Sequence, residues 1–295
     1  MTDLLVETRD LTKSYGRVRA LAGLDISVRS GEVYGFLGRN GAGKSTTIRI
    51  LMGITKPDGG VVRLFGEPVR GTPVHLRQRI GYVAQEQTFY DWMTAARLAR
   101  FVSSFYPTWS DETFLHHAKT QDIPLGRKVG TFSGGMKMKL ALALALGHAP
   151  PLLILDEPTA GLDPVARREF LERVREDAER TGRTTLFSTH LIDEVELVAD
   201  RVGILEDGGT RWQGTVDALA ARVRQLVDWR GEPPIAPGVR MLSDRAFRGH
   251  RRTVYEAEDP RSFFGIAQLI AASDQPEAKL EVMPLEEIFI EMVRR

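Results

Sequence analysis

The nine residues Gly38 to Thr46, GRNGAGKST, stand between a short apolar run, Val33 to Leu37, and a segment whose apolar residues Ile48, Leu51 and Met52 fall at helical spacing. Strand, glycine turn and helix is the setting in which such a stretch cradles phosphate. Gly38, Gly41 and Gly43 let the backbone curl with its N–H groups pointing inward, and side chains there would block the close approach of a polyphosphate. Arg39, Asn40, Ala42 and Thr46 complete the candidate nucleotide-binding loop. The following helix sets its positive dipole end at the same place. Lys44 can then reach terminal phosphates, and the Ser45 hydroxyl can ligate an accompanying Mg²⁺. Read alone, the stretch could also be a glycine-rich turn with no ligand.

Composition sets the outer bounds. A chain of 295 residues holds one large domain, or one with a small companion. Lys and Arg number 40 against 39 Asp and Glu, and that balance argues against a dedicated nucleic-acid binder. With no cysteine, neither disulfides nor cysteine metal sites are possible, which fits the cytosol. Asp3, Glu7 and Asp10 interrupt the opening apolar residues, so no signal peptide is expected. The most apolar stretch, Leu140 to Leu155, falls short of the roughly 20 residues that a bilayer span needs. Gly147, Pro150 and Pro151 break it, so a buried helix followed by a buried strand is predicted.

LLVET, LDISV and VYGFL predict early strands, and VVRLF a further one after the PDGG turn. Tyr15 lies among them, where it could stack on a purine, although by itself it reads as an ordinary half-buried sheet aromatic. IGYVAQ reads as a strand ending in Gln85, and a helical block follows over about residues 86–150. LLILDEP is a continuous apolar run closing on two carboxylates, as suits a strand buried in a parallel sheet. The carboxyl end of such a strand is where open α/β sheets hold ligands. Asp156 is thereby placed to hold Mg²⁺ through water, and Glu157 to polarise an attacking water. TTLFST, predicted as a strand of the same sheet, ends at His190, which can approach the phosphates or Glu157. RVGILED is read as the last core strand. Residues 215–295 are read as a small α/β appendage with short strands, helices over 262–272 and 284–293, and His250, Arg251 and Arg252 in a solvated loop.

Together these residues resemble the ATP-binding subunits of ABC transporters over about residues 3–213. GRNGAGKST matches Walker A, Tyr15 the adenine-stacking aromatic and Gln85 the Q-loop glutamine. FSGGM, 132–136, matches the signature usually written LSGGQ, LLILDE matches Walker B, AGLDP with Asp163 the D-loop, and His190 the switch histidine. The resemblance implies an α/β fold: a P-loop NTPase core of ABC type with a mixed sheet, an antiparallel β subdomain and an inserted helical subdomain. That ATPase domain would span 1–214 and the accessory α/β domain 215–295. It also implies ATP and Mg²⁺ as ligands, with Lys44, Glu157, His190 and Gln85 catalytic and Ser45, Gln85 and Asp156 at the metal.

Ser133, Gly134 and Gly135 stand where a helix begins, which suits an anion, though a serine there could equally be a plain cap. In the family that helix faces the γ-phosphate of the opposite subunit, so two ATP molecules would lie between two subunits. The implied partners are a second ATPase subunit and a transmembrane permease, with the protein peripheral on the cytoplasmic face. SFYPTW, 104–109, and the tail PLEEIFIEMVRR resemble the bacterial exporter branch with a type-two permease. Met136 and Phe132 depart from the signature, which leaves the subunit contact open while ATP binding is expected to survive. The rival reading is a soluble ABC ATPase working on nucleic acid or ribosomes; a single phosphate loop and no basic stretch weigh against it.

Overall fold

A computed structural model describes residues 4–247 and 250–293 of the chain. In chain order come strands β1 (Leu4–Tyr15), β2 (Val18–Arg29) and β3 (Val33–Gly38), helix α1 (Lys44–Leu51), strands β4 (Gly59–Leu64) and β5 (Glu67–Val69), and the one-turn helix α2 (Val74–Arg77). Strand β6 (Ile80–Val83) leads into helices α3 (Ala95–Ser103), α4 (Asp111–Thr120) and α5 (Gly134–Leu146). Then follow β7 (Leu152–Asp156), α6 (Pro164–Thr181), β8 (Thr184–Thr189), α7 (Ile192–Val198), β9 (Arg201–Glu206) and β10 (Gly209–Thr215). The last stretch holds α8 (Val216–Arg222), β11 (Val223–Val227), β12 (Val239–Phe247), β13 (His250–Ala257), α9 (Phe263–Ala271), β14 (Lys279–Val282) and α10 (Leu285–Met292). The chain divides into two compact units, Met1–Gln213 and Gly214–Arg295.

Two sheets form the first unit. One has the order β10-β9-β3-β8-β7-β6, the other β2-β1-β4-β5. In the first sheet β3, β7 and β8 are buried along their whole length, as strands covered on both faces must be. Their neighbours run parallel, β3 with β8 and β9, β7 with β8 and β6. The second sheet is antiparallel, and its strand β1 mixes buried residues such as Val6, Thr8 and Leu11 with exposed ones such as Arg9 and Asp10. Leu11, Leu24 and Ile26 from this sheet share one core with Phe36, Ile154 and Leu186 of the first and with Ile48 and Leu51 of α1. A second core lies in the helical block, where Leu98, Phe114, Phe132 and Leu140 meet.

Helix α5 is apolar around most of its circumference, and from Leu140 to Leu146 every residue is buried. Its last residue is followed within six positions by β7, so the apolar stretch flagged for a membrane check is a buried helix and a buried strand. Among the described residues no helix is long and apolar enough to cross a membrane.

Three expectations need correction. RVGILED is not the last strand of the core, because TRWQG forms β10 on the sheet edge. Asp207 and Gly208 both take positive φ, and so short a connection joins neighbours antiparallel; the polar run hid a partly buried strand. Strand β6 stops at Val83, so Gln85 sits two residues beyond it in an exposed bend. The segment around Arg251 and Arg252 is strand β13, not a loop.

In the second unit the sheet order is β12-β13-β11-β14, with antiparallel pairings throughout. Leu226 and Tyr255 of the sheet pack on Phe263 and Ile266 of α9. Arg251 pairs with Asp244, and Arg252 with Glu287, so strand polarity here is spent on cross-strand and strand–helix ion pairs. The strands β12 and β13, nine and eight residues long, exceed the short strands expected.

Candidate active site

Parallel pairing brings three strand ends to one edge. Leu37 lies opposite Thr189, and Asp156 opposite Ser188. Gly38, Glu157 and His190 therefore leave the sheet side by side, at the carboxyl edge where α/β sheets place ligands.

The loop after β3 follows from its glycines. Gly41 and Gly43 have φ of 84° and 105°, which L side chains rarely adopt. A Cβ on Gly43 would come within 2.6 Å of Leu21 and 2.7 Å of the Ala20 carbonyl. Helix α1 then begins at Lys44 with no side-chain cap and no acidic residue in its first turn. Its leading N–H groups are left for an outside acceptor, and the helix dipole favours an anion there.

Lys44 is only 4% exposed. Its Nζ donates to the carbonyls of Gly38 at 2.7 Å and Arg39 at 3.3 Å, and pairs with Glu157 Oε1 at 3.1 Å. The other carboxylate oxygen of Glu157 meets Nδ1 of His190 at 3.1 Å. An ionised carboxylate only accepts, so the ring carries its proton on Nδ1 in this contact. Lys44, Glu157 and His190 thus form one line across the edge. Glu157 holds φ at 44°, left-handed and uncommon for a residue with a side chain. Its N–H donates to Ser188 Oγ at 2.9 Å, which anchors that turn.

Asp156 is 3% exposed and accepts from Ser45 Oγ at 3.1 Å and Ser188 Oγ at 2.8 Å. Among the described residues those hydroxyls are its hydrogen-bond partners, and none of those residues joins it in an ion pair. Burial, and after it the Asp156 charge, push the Tyr82 hydroxyl above its ordinary pKa, with Arg49 opposing. A buried carboxylate beside a hydroxyl is a hard oxygen donor set, suited to Mg²⁺ completed by phosphate oxygens and water. Among the described residues no group of three or more His, Cys, Asp or Glu could hold a metal unaided. Gln85, the third residue predicted at the metal, stands exposed in its bend.

The remaining predicted residues lie elsewhere on the unit. Tyr15 ends β1 at 47% exposure, with Lys13 Nζ 5.5 Å from its ring centre and Lys13 itself tied to Asp58 at 2.8 Å. Ser133 caps α5 by accepting from Met136 N at 3.2 Å; Gly134 and Gly135 open that helix. None of the three shares a hydrogen bond with the Lys44–Glu157–His190 line among the described residues. Phe132 is buried in the helical-block core and Met136 packs against it, so both departures from the signature serve that core. Asp163 caps α6, its Oδ1 accepting from Val165 N and Ala166 N, each at 3.0 Å.

Sequence reading missed Ser188, which bridges Asp156 to the Glu157 backbone, and the buried pair of threonines nearby, Thr159 and Thr189. Hydroxyls inside TTLFST look like ordinary strand residues; only their place beside the switch histidine marked them.

The ABC transporter family profile matches residues 21–160. The chain is 38% identical to the bacitracin transport ATP-binding protein BcrA of Bacillus licheniformis, over 77% of this chain and 74% of that one. The chain belongs to the ABC transporter ATP-binding family. This ABC subunit is also 34% identical to the Nod factor export ATP-binding protein I of Paraburkholderia xenovorans, across 100% of this chain and 99% of the relative. A dimeric ATP-binding cassette solved in a post-hydrolysis state with ADP and Pi is 25% identical, with a TM-score of 0.65 over 72% of this chain and 98% of that one. The ABC subunit described here is an ATPase that binds ATP and serves as the motor of a transporter.

Proposed function

We propose that this ATPase drives export through a separately encoded membrane permease, and that it works as a pair of subunits with ATP and Mg²⁺ between them. One observation carries the pairing. The Lys44–Glu157–His190 line lies at the sheet edge, while the anion-receptive start of α5 takes no part in it. A second subunit presenting its own Ser133 and Gly135 would complete the pocket, and the related cassette with ADP and Pi is a dimer. The relatives named for bacitracin transport and Nod factor export support the exporter reading.

In this mechanism the loop amides from Gly38 to Thr46 and Lys44 hold the triphosphate, with Tyr15 against the base. A bound γ-phosphate competes for Lys44 and releases Glu157 from its ion pair. The freed carboxylate orients and polarises the attacking water, and His190, held by the same carboxylate, faces the transferring group. Ser45, Asp156 and Gln85 would hold Mg²⁺, which supplies charge neutralisation at the phosphates. Preformed N–H donors stabilise the charge that develops there.

The permease is assigned to the face around Tyr90, Trp92, Phe101 and Phe105. These four exposed rings form a chain of contacts with centroids 6.2, 5.8 and 5.3 Å apart. Apolar surface of this kind marks partner sites, and it would keep the subunit at the cytoplasmic face of the membrane.

The test is Glu157→Gln. The variant is expected to bind MgATP, accumulate as a dimer by light scattering, and lose turnover by about 100-fold or more. Normal steady-state hydrolysis would remove Glu157 from its role. Turnover independent of protein concentration in a strictly monomeric sample would remove the shared pocket.

A further inference from the structure

Glu194 lies in the first turn of α7, four residues after His190, and is 2% exposed. A buried carboxylate is costly unless fully partnered. Its two oxygens are divided between the connection after β7 and the end of β8. Oε1 accepts from Thr159 Oγ1 at 2.5 Å, and Oε2 from Thr189 Oγ1 at 2.6 Å. Such lengths are those of charge-assisted O–H···O⁻ bonds. Arg167 Nε stands 3.5 Å from Oε1, and the start of α7 adds its dipole.

The positions of those threonines give the arrangement its meaning. Thr159 is two residues beyond Glu157, and Thr189 is the residue before His190. Both hydroxyl-bearing residues are buried, at 4% and 2% exposure. Thr189 Oγ1 also accepts from Leu191 N at 3.0 Å, so its own proton is directed to Glu194. One carboxylate therefore fixes the separation of the two turns whose tips carry the 3.1 Å contact between Glu157 and His190.

We infer that Glu194 is a positioning residue for ATP hydrolysis, clamping the Glu157 and His190 loops in register through Thr159 and Thr189. This rests on the reading that Glu157 and His190 act on the attacking water. A carboxylate is required because each threonine donates to a different terminal atom, and only a carboxylate offers an acceptor at both. An amide would turn an NH₂ toward one threonine, reverse that hydroxyl and shift one loop against the other. Nucleotide affinity, which comes from the loop after β3, would be spared.

The experiment compares Glu194→Gln, Thr159→Val and Thr189→Val with Thr159→Ser and Thr189→Ser, reading kcat, KM for MgATP and the thermal midpoint. Misplacing reacting groups by about 1 Å costs on the order of 100-fold, so kcat in the Gln and Val variants should fall about 10- to 100-fold with KM within about 3-fold. The serine variants keep the hydroxyl and should stay within about 3-fold of the parent, and Thr159→Val added to Glu194→Gln should cost little more than Glu194→Gln alone. Parental kcat in Glu194→Gln, or serine variants as slow as the valine ones, would overturn the inference. If Glu194→Gln fails to fold, the serine–valine contrast decides it. Glu157→Gln assayed alongside separates the two failures: if it hydrolyses normally the underlying reading falls, whereas an inert Glu157→Gln beside a fully active Glu194→Gln sinks the clamp alone.

Discussion

Replacing His148 by Phe should remove a defined share of the acid sensitivity of the first unit. The imidazole is 2% exposed and stacks on Tyr106, with centroids 3.9 Å apart and planes 22° from parallel. Burial above all pushes its pKa down from 6.5 to about 4; the Ile80 backbone opposes and Arg183 adds to the shift. The unfolded chain therefore takes up a proton that the folded chain refuses. The neutral ring's contribution is complete above the unfolded value and is lost as pH falls toward the folded one. At pH 5 the difference is about 2 kcal/mol, while near pH 7.5 it vanishes. For a unit of this size that is a midpoint change of about 4–8 °C. Phe keeps a planar ring on Tyr106 and cannot titrate, so whatever it does to baseline stability, the slope is the readout. Thermal unfolding of both proteins at pH 7.5 and 5 should bring their midpoints closer, or carry the variant past the parent, by that amount. His117, also pushed to about 4, chiefly by burial, stays in both proteins and retains its own share of the slope. A midpoint difference unchanged between the two pH values would refute the reasoning.

Two further outcomes follow from the site and the surface. In the proposed mechanism Lys44 contacts phosphate, so Lys44→Ala should weaken MgATP binding about 10- to 100-fold by titration calorimetry; an unchanged Kd would take Lys44 out of the phosphate site. Phe101→Ala combined with Phe105→Ala should leave hydrolysis by the isolated subunit unaltered and weaken capture of its permease about 10-fold or more in reconstituted membranes. Full permease stimulation in that variant would move the docking face elsewhere.

What could be read from the chain divides along a physical line. The glycine turn before α1 was legible because Gly41 and Gly43 answer a purely local demand, positive φ beside a helix start. β7 was legible because an unbroken apolar run closing on Asp156 and Glu157 has few other uses. Once both were placed, parallel pairing left little freedom in where His190 could emerge. Ser188, Thr159 and Glu194 were not legible, since their meaning lies in hydrogen bonds spanning some thirty residues, and Thr189, bonded to Glu194 only five residues on, reads as an ordinary strand residue. Strand β10 was hidden for a different reason: a polar edge strand has no apolar period to show. Arg251 and Arg252 looked like solvated charge because their partners, Asp244 and Glu287, are distant in sequence or set on another element.

Helix α5 reaches from the Ser133 cap to within six residues of β7, and at 13 residues it is about 20 Å long. It packs on α3 and α4 on one side and on β6 on the other, with its leucines buried throughout. A rod held that tightly cannot give way in the middle, because close-packed interiors transmit strain instead of absorbing it. Pressure at the cap would therefore reach the far end, where the Ala145 carbonyl lies against Gly81 of β6. If the proposed pairing of subunits holds, two such rods facing each other would make each pocket answer to the filling of the other.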